Sequence, residues 1–415
     1  MRSISKKLFY FLILLLPINL GKHFESDASF VRGIRVDYLI PTIFVQDILV
    51  FLIIIFWIVE KGFPKKQQLL KVFERKEVQV LIFFLFSLLL STLSARSFIP
   101  SIYFFGRVLL YAGVFLYVVF EVKAEEDFPR VLEMLGIGVV FLGILGILQY
   151  IKQGSVFNDY LFFGEQPYSF STWNVAKEKV FGVSKVASYG TFRHPNTFGG
   201  FLSIVLVWIY SNIERKKEYI MSFLLGLVAL FFTFSYVSWA VLVAGLLLHK
   251  IFSLGRSKFK VLAVFGVLIT TSFLLFLPGF KDTSLLTTKY PSFYRRANLL
   301  SAAYEIVDIN PLFGIGANNF TILVDEFMSK SPGLRFTQPV HNIFVLILAE
   351  SGIFTFLSFV TLLFSGIKKS LESRFFVLPL VFLIQIMLLG SLDHYLYIVH
   401  QTQLLFWIVL GLSFM

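Results

Sequence analysis

Apolar stretches about as long as the roughly 20 residues a helix needs to cross a bilayer recur along the whole chain, divided by short charged segments. Inside a bilayer, backbone donors and acceptors must be satisfied within the chain, so such stretches become helices. Spans are expected near 8–20, 38–59, 78–95, 101–120, 131–151, 197–212, 218–234, 236–254, 259–277, 340–365, 375–392 and 396–414. The composition agrees: 57% of residues are hydrophobic and 15% charged, too little polar surface to cover a soluble core of this size. It also excludes disorder, a coiled coil, a collagen-like fibre and a disulfide-stapled scaffold. Without cysteine there is no thiol nucleophile, thiolate metal site or disulfide. The expected fold is an all-α membrane protein of about 12 transmembrane helices, one polytopic domain over residues 1–415.

The first apolar stretch follows Lys6 and Lys7 and also reads as a signal peptide. No small-x-small cleavage site follows it, since Ile18, Asn19, Leu20, Gly21 and Lys22 come next, and this favours an uncleaved span. With the N-terminus in the cytoplasm, the basic residues of segments 60–77, 213–217, 249–260 and 366–374 fall on the same side as Arg2, Lys6, Lys7, Lys123 and Arg130. Lys and Arg resist translocation, so topology explains the net charge of +12 and nucleic-acid binding is not expected. Both termini are then cytoplasmic, and segments 152–196 and 278–339 lie outside as long loops. Loops of this length on a membrane scaffold usually carry function. Segment 278–339 has its own helix signal: Pro291-Ser292 starts it, Arg296, Leu300, Ala303 and Val307 recur at helical spacing, and Asn310-Pro311 ends it. A second short amphipathic stretch runs from about Asn318 to Lys330.

The external segments concentrate cations. Gly190-Thr191-Phe192-Arg193-His194-Pro195-Asn196 precedes the sixth span, Arg295-Arg296 lies in the loop helix, and His341-Asn342 opens the tenth span. Arginine offers a planar fork that matches phosphate oxygens, and a histidine near neutral pH can take a proton from a hydroxyl. This set suits a phosphorylated lipid headgroup. For single external arginines, solvated loop residues or headgroup anchors are the alternative. Asp47 and Arg107 lie inside spans, both about 9–10 Å from the outer end. Such charges need partners, so they either pair or Arg107 reaches a headgroup. Glu350 follows His341 by nine residues, which turns it to the opposite helix face about 13 Å deeper. That placement suits a folding role, with Gly352 permitting close approach.

No Asp-x-Asp and no histidine ligand pair occurs on an external segment, so Arg and Lys would have to neutralise a diphosphate where a metal-assisted transferase uses carboxylates and an ion. No metal or cofactor is expected. Gly314-Ile315-Gly316 has no βαβ unit around it and is not a dinucleotide fingerprint. His249 and the pair Asp393-His394 read as isolated residues at termini or short turns, and His400 and Gln401 as a weak lining of the outer cavity.

Three stretches carry a family resemblance: Gly190-Thr191-Phe192 with His194-Pro195-Asn196; Arg296 with Glu305, Asn310-Pro311-Leu312, Gly314-Ile315-Gly316 and Asn319-Phe320; and His341-Asn342 with Glu350-Ser351-Gly352. In order and spacing they resemble the O-antigen ligase and O-antigen polymerase superfamily of bacterial membrane glycosyltransferases. The resemblance implies a GT-C-like fold with a large helical extracytoplasmic loop between spans 9 and 10, seated in the bacterial plasma (inner) membrane. It implies metal-independent transfer of a glycan from a polyprenyl-diphosphate-linked donor to a glycan, lipid or protein acceptor. By likeness, Arg296 contacts the diphosphate and His341 acts near the acceptor hydroxyl. Arg193, His194, Asn196, Arg295, Asn342, Arg107 and Lys185 are further substrate-binding candidates. Departures stand at Ala187 and at Ser235-Tyr236, where the family often has an arginine, and at Leu300, where it often has tryptophan. Arg193, Lys185 or Arg107 would supply the missing charge. The rival reading is a transporter or flippase for the same lipid, which calls for ion-coupling groups near midplane and matching broken halves. The sequence has neither an inverted repeat nor a long central cytoplasmic loop.

Overall fold

The computed structural model describes residues 3–62, 66–254, 291–328, 337–375 and 377–415, and the chain is mostly helical. The first helices are α1 (Ile4–Leu15), α2 (Val45–Lys61), α3 (Lys66–Phe73), α4 (Lys76–Leu93), α5 (Phe98–Glu121) and α6 (Ala124–Lys152). Then come α7 (Pro195–Tyr210), α8 (Lys217–Phe232) and α9 (Tyr236–Ser253). The segment before α12 (Ile343–Glu372) holds α10 (Pro291–Ile309) and α11 (Phe320–Phe327), and α13 (Val377–Leu392), α14 (Tyr395–Ile398) and α15 (His400–Leu412) close the chain. Strand is confined to short antiparallel pairs. β1 (Gly21–His23) pairs with β4 (Thr42–Phe44), β2 (Phe30–Val31) with β3 (Ile34–Arg35), and β5 (Lys177–Val180) with β6 (Val183–Val186).

Among the described residues, α4, α5, α6, α9 and α12 are each long and apolar enough to cross a membrane, and α7 and α13 are shorter apolar helices. The chain is a helical membrane protein. Every residue of α15 is buried, and α7 and α13 are buried over most of their length. Helices apolar on all sides belong in the middle of a bundle. Around them α12 packs on α4, α7 on α9, α6 on α8 and α15 on α5. Gln385 of α13 donates to the carbonyls of Ser203 (2.9 Å) and Val241 (3.2 Å), joining three helices through the one polar group of that stretch. At the end expected to be cytoplasmic, Asp127 of α6 takes Lys6 at 2.9 Å and the Tyr10 hydroxyl from α1.

Several expectations shift. The first span is only the 12-residue α1, about 18 Å long, because Pro17 ends it. The second begins at Val45, not 38, since Pro41 and the β4 pairing hold the preceding chain extended. Residues 18–44 therefore form a third structured external segment that the sequence pattern did not isolate. The tenth span is interrupted at Gly352, where φ is 73°, and the twelfth is divided at Val399 into α14 and α15. The expected division near Ser235 is present as a turn with Phe234 at φ 52°. The predicted loop helix is α10 and the second stretch is α11, shorter than expected. The ninth span near 259–277 lies outside the described residues.

Asp47 and Arg107 do not form the expected ion pair. With α2 starting at Val45, Asp47 sits in its first turn, where its carboxylate accepts the Phe44 N–H (2.9 Å) and the Tyr111 hydroxyl (2.6 Å). Arg107 donates instead to the Tyr103 hydroxyl (2.9 Å) and the Ile398 carbonyl (2.8 Å).

Candidate active site

Polar groups converge where four separate helix ends meet. Pro195 at the first position of α7 fixes that helix start and leaves His194 as its cap, with Nδ1 accepting the Asn196 N–H at 3.1 Å. Asn342 caps α12 by accepting the N–H groups of Phe344 (2.9 Å) and Val345 (3.1 Å), which fixes His341 immediately before it. Arg296 projects from α10. Asp393 and His394 fill the turn between α13 and α14, and the Asp393 N–H continues α13 by bonding the Leu389 carbonyl at 2.8 Å.

Asp393 is the centre of the group. Its Oδ2 lies 3.8 Å from Arg296 Nη2 and accepts from Asn196 Nδ2 at 3.5 Å. Its Oδ1 accepts the His394 N–H at 2.8 Å and lies 3.3 Å from His394 Nδ1. Arg296 is held a second time, donating through Nη1 to the Leu392 carbonyl at 2.9 Å. The rings of His341 and His394 meet edge to face, with centroids 5.0 Å apart and planes at 83°. His394 Nε2 is 3.3 Å from the Tyr38 hydroxyl, which the 18–44 segment brings in. His341 Nδ1 is buried without a partner among the described residues.

Burial lowers His341 to about 3 and His394 to about 4, against the pull of the Asp393 carboxylate, so both imidazoles are neutral near pH 7. Burial also lowers His194. For Asp393 burial opposes ionisation, but His341, His394 and Arg296 outweigh it and the carboxyl falls to about 2. The arrangement is a carboxylate held ionised beside neutral imidazoles and one guanidinium. Such a set can accept a proton at an imidazole and stabilise the cation that forms. The ligand atoms of His341, Asp393 and His394 all lie within 4.8 Å of one another, so these three are also the residues that would hold a metal ion. The guanidinium on Asp393 Oδ2 opposes that use, since it puts a fixed positive charge beside the anionic ligand.

A second layer fixes the loop behind this centre. Glu350 is buried in α12, and its carboxylate accepts the N–H groups of Asn318 (2.9 Å) and Phe320 (2.9 Å). Asn318 Nδ2 then donates to the Tyr38 carbonyl at 2.8 Å. The backbone crossing is close enough that a side chain at Gly314 would meet the Glu350 carbonyl at 2.2 Å, and one at Gly352 the Leu312 carbonyl at 2.2 Å. Both glycines have positive φ, 71° and 73°. The Gly190 turn is tied the same way, with its N–H and carbonyl both bonded to Gln149 of α6 at 2.7 and 2.8 Å. In each motif the glycines and amide partners build the support, and the histidine or arginine beside them faces the site.

The structure therefore brings together His341, Arg296, His194 and Asn196 from the predicted set. Asn342 is adjacent, but both ends of its amide are occupied, the nitrogen by the Ser391 carbonyl at 3.2 Å. Arg295 is exposed on α10, and Lys185 lies opposite Glu178 in the β5–β6 hairpin. Arg193 and Arg107 stand beyond Tyr38, apart from this centre. Asp393, His394 and Tyr38 were missed. The signal for the first two was present: Asp393 is the one acidic residue after Glu372, in a turn between two apolar runs at an expected outer end.

Residues 221–360 match the family model described as O-Antigen ligase, a region that contains Arg296, His341 and Glu350 but neither His194 nor Asp393. No curated protein matches the chain.

Proposed function

We propose that this member of the O-antigen ligase superfamily, which carries the family's domain over residues 221–360, transfers a glycan from a polyprenyl-diphosphate donor to an acceptor hydroxyl outside the plasma membrane. It is a membrane glycosyltransferase of the ligase or polymerase type. The observation that carries the finer reading is the meeting of Arg296 and His341 at a buried, ionised Asp393. The acceptor oxygen forms a bond to the anomeric carbon as the bond from that carbon to the diphosphate breaks. The hydroxyl proton passes to the neutral His341, and Asp393 stabilises the imidazolium. The bond electrons leave with polyprenyl diphosphate, whose charge Arg296 meets with fixed donors that need no reorganisation. His194 and Asn196 position the reacting groups. A single displacement of this kind inverts the anomeric centre, and a retained product configuration would overturn it. The acceptor is a glycan, a lipid or a protein, and both termini face the cytoplasm.

The test uses the full chain in nanodiscs with a polyprenyl-diphosphate oligosaccharide, a panel of acceptors and EDTA, following release of polyprenyl diphosphate. Release that persists in EDTA and disappears in His341→Ala and Arg296→Ala is expected, with donor binding retained in His341→Ala. Loss of release on chelation, restored by a divalent ion, would overturn the metal-independent route and assign His341, Asp393 and His394 as ligands.

A further inference from the structure

The turn before α7 divides its cations between two places. His194 feels the charges of Asp393 and Arg296. Arg193, one residue earlier, does not act on that centre. Its charge reaches Tyr38, Tyr103 and Tyr160, with His23 and His400. Tyr38 stands between the two, with its hydroxyl on His394 and within the field of both Asp393 and Arg193.

The groups around Arg193 are built into the fold. The Tyr160 hydroxyl accepts the Gly21 N–H at 3.1 Å, and its ring meets His23 edge-on at 5.8 Å. The Tyr103 hydroxyl donates to the Thr42 carbonyl at 2.6 Å and accepts from Arg107, whose guanidinium also lies 5.1 Å from the Tyr103 ring. Arg107 is buried, and its Nε has no partner. Two guanidiniums thus converge on Tyr103 and His400. Each carboxylate nearby is engaged elsewhere: Asp37 with Arg35, Asp47 with Tyr111 and the Phe44 N–H, Asp393 with Arg296. Arg193 itself is half-buried and has no hydrogen bond or ion pair among the described residues. An unpaired, partly desolvated guanidinium backed by a second one is costly unless an anion completes it.

We infer that Arg193, with Arg107 behind it, forms a second oxyanion subsite across Tyr38 from the His341 centre. It would hold a phosphate or carboxylate of the substrate, with the tyrosine rings beneath the attached sugar. The identity of the anion rests on the transferase reading, since lipid diphosphate and an acidic sugar residue are then the two sources of one chemistry.

The test needs no turnover. The full chain in nanodiscs is treated with phenylglyoxal, alone and with inorganic pyrophosphate or glucuronate, and modification at each arginine is followed by mass spectrometry. Arg193 should react, and an anion should slow its reaction several-fold while the exposed Arg295 reacts at an unchanged rate. Protection by pyrophosphate alone assigns the lipid diphosphate, by glucuronate alone an acidic sugar, and by both an oxyanion subsite open to either. A rate at Arg193 that neither anion changes, or an unreactive Arg193, overturns the proposal. If wild-type protein releases no polyprenyl diphosphate yet Arg193 is protected, the transferase reading fails and the subsite stands. In turnover, Arg193→Ala should raise the KM for the anionic substrate about tenfold with Arg193→Lys recovering part of it, the size of one charge-assisted contact.

Discussion

The inner nitrogen of His341 is buried beside His394, and a proton placed there has only Asp393 to answer its charge. Asp393→Asn keeps the size of the side chain and removes that charge. Release of polyprenyl diphosphate should then fall on the order of 100-fold in kcat, with KM changing far less, because the loss is of an interaction made as charge develops. The same burial has a consequence for stability. His341 and His394 titrate near 3 and 4 when folded, against about 6.5 when unfolded. As pH falls below about 6.5 the unfolded chain takes up protons that the folded chain refuses, so stability declines with falling pH through this window. Thermal unfolding between pH 7 and 4.5 should show this decline, and His394→Gln should reduce its slope. A melting temperature that is flat or rises on acidification would contradict the buried neutral imidazoles.

At the scale of elements, α12 and the chain between α10 and α11 are locked by crossing backbones, with Gly316 N–H on the Glu350 carbonyl at 2.9 Å and Ile353 N–H on the Pro311 carbonyl at 2.9 Å. Gly314→Ala should destabilise the protein by a few kcal/mol, about the cost of strain at a positive-φ position plus a clash, read as a lower melting temperature in detergent. Glu350→Ala leaves the Asn318 and Phe320 N–H groups buried and unpaired, a loss of about 1–3 kcal/mol each. It should lower turnover as well, because Asn318 holds Tyr38, and Tyr38 meets His394. Much of this was legible beforehand. Helical spacing and Asn310-Pro311 marked α10, capping chemistry marked Asn342, and the depth of Glu350 relative to His341 pointed to folding and not catalysis. The partners were not legible. Nothing local to Asp393-His394 or Tyr38 says that residues hundreds of positions away close on them, and short extended pairs such as β1–β4 leave no long period to read.

For the whole molecule, orientation is the property to test first, and the absence of cysteine makes the test clean. Single cysteines placed at Phe181 in the β5–β6 turn and at Lys216 before α8 should react with a membrane-impermeant maleimide from opposite sides, the first from outside and the second only after permeabilisation. Labelling of both from one side would overturn the assigned topology. Exchanging Asp47 and Arg107 should not restore folding after either single change, because each is bonded to different partners. The site gathers Tyr38, His194, Arg296, His341 and Asp393 from the full span of the chain, with its pivot placed just ahead of the last helices. Translation therefore delivers the pivot near the end. A nascent chain already threaded through the bilayer, with its arginine and first histidine in place, has no carboxylate to organise them. The cell is spared a half-made transferase acting on its lipid carrier while synthesis is still under way.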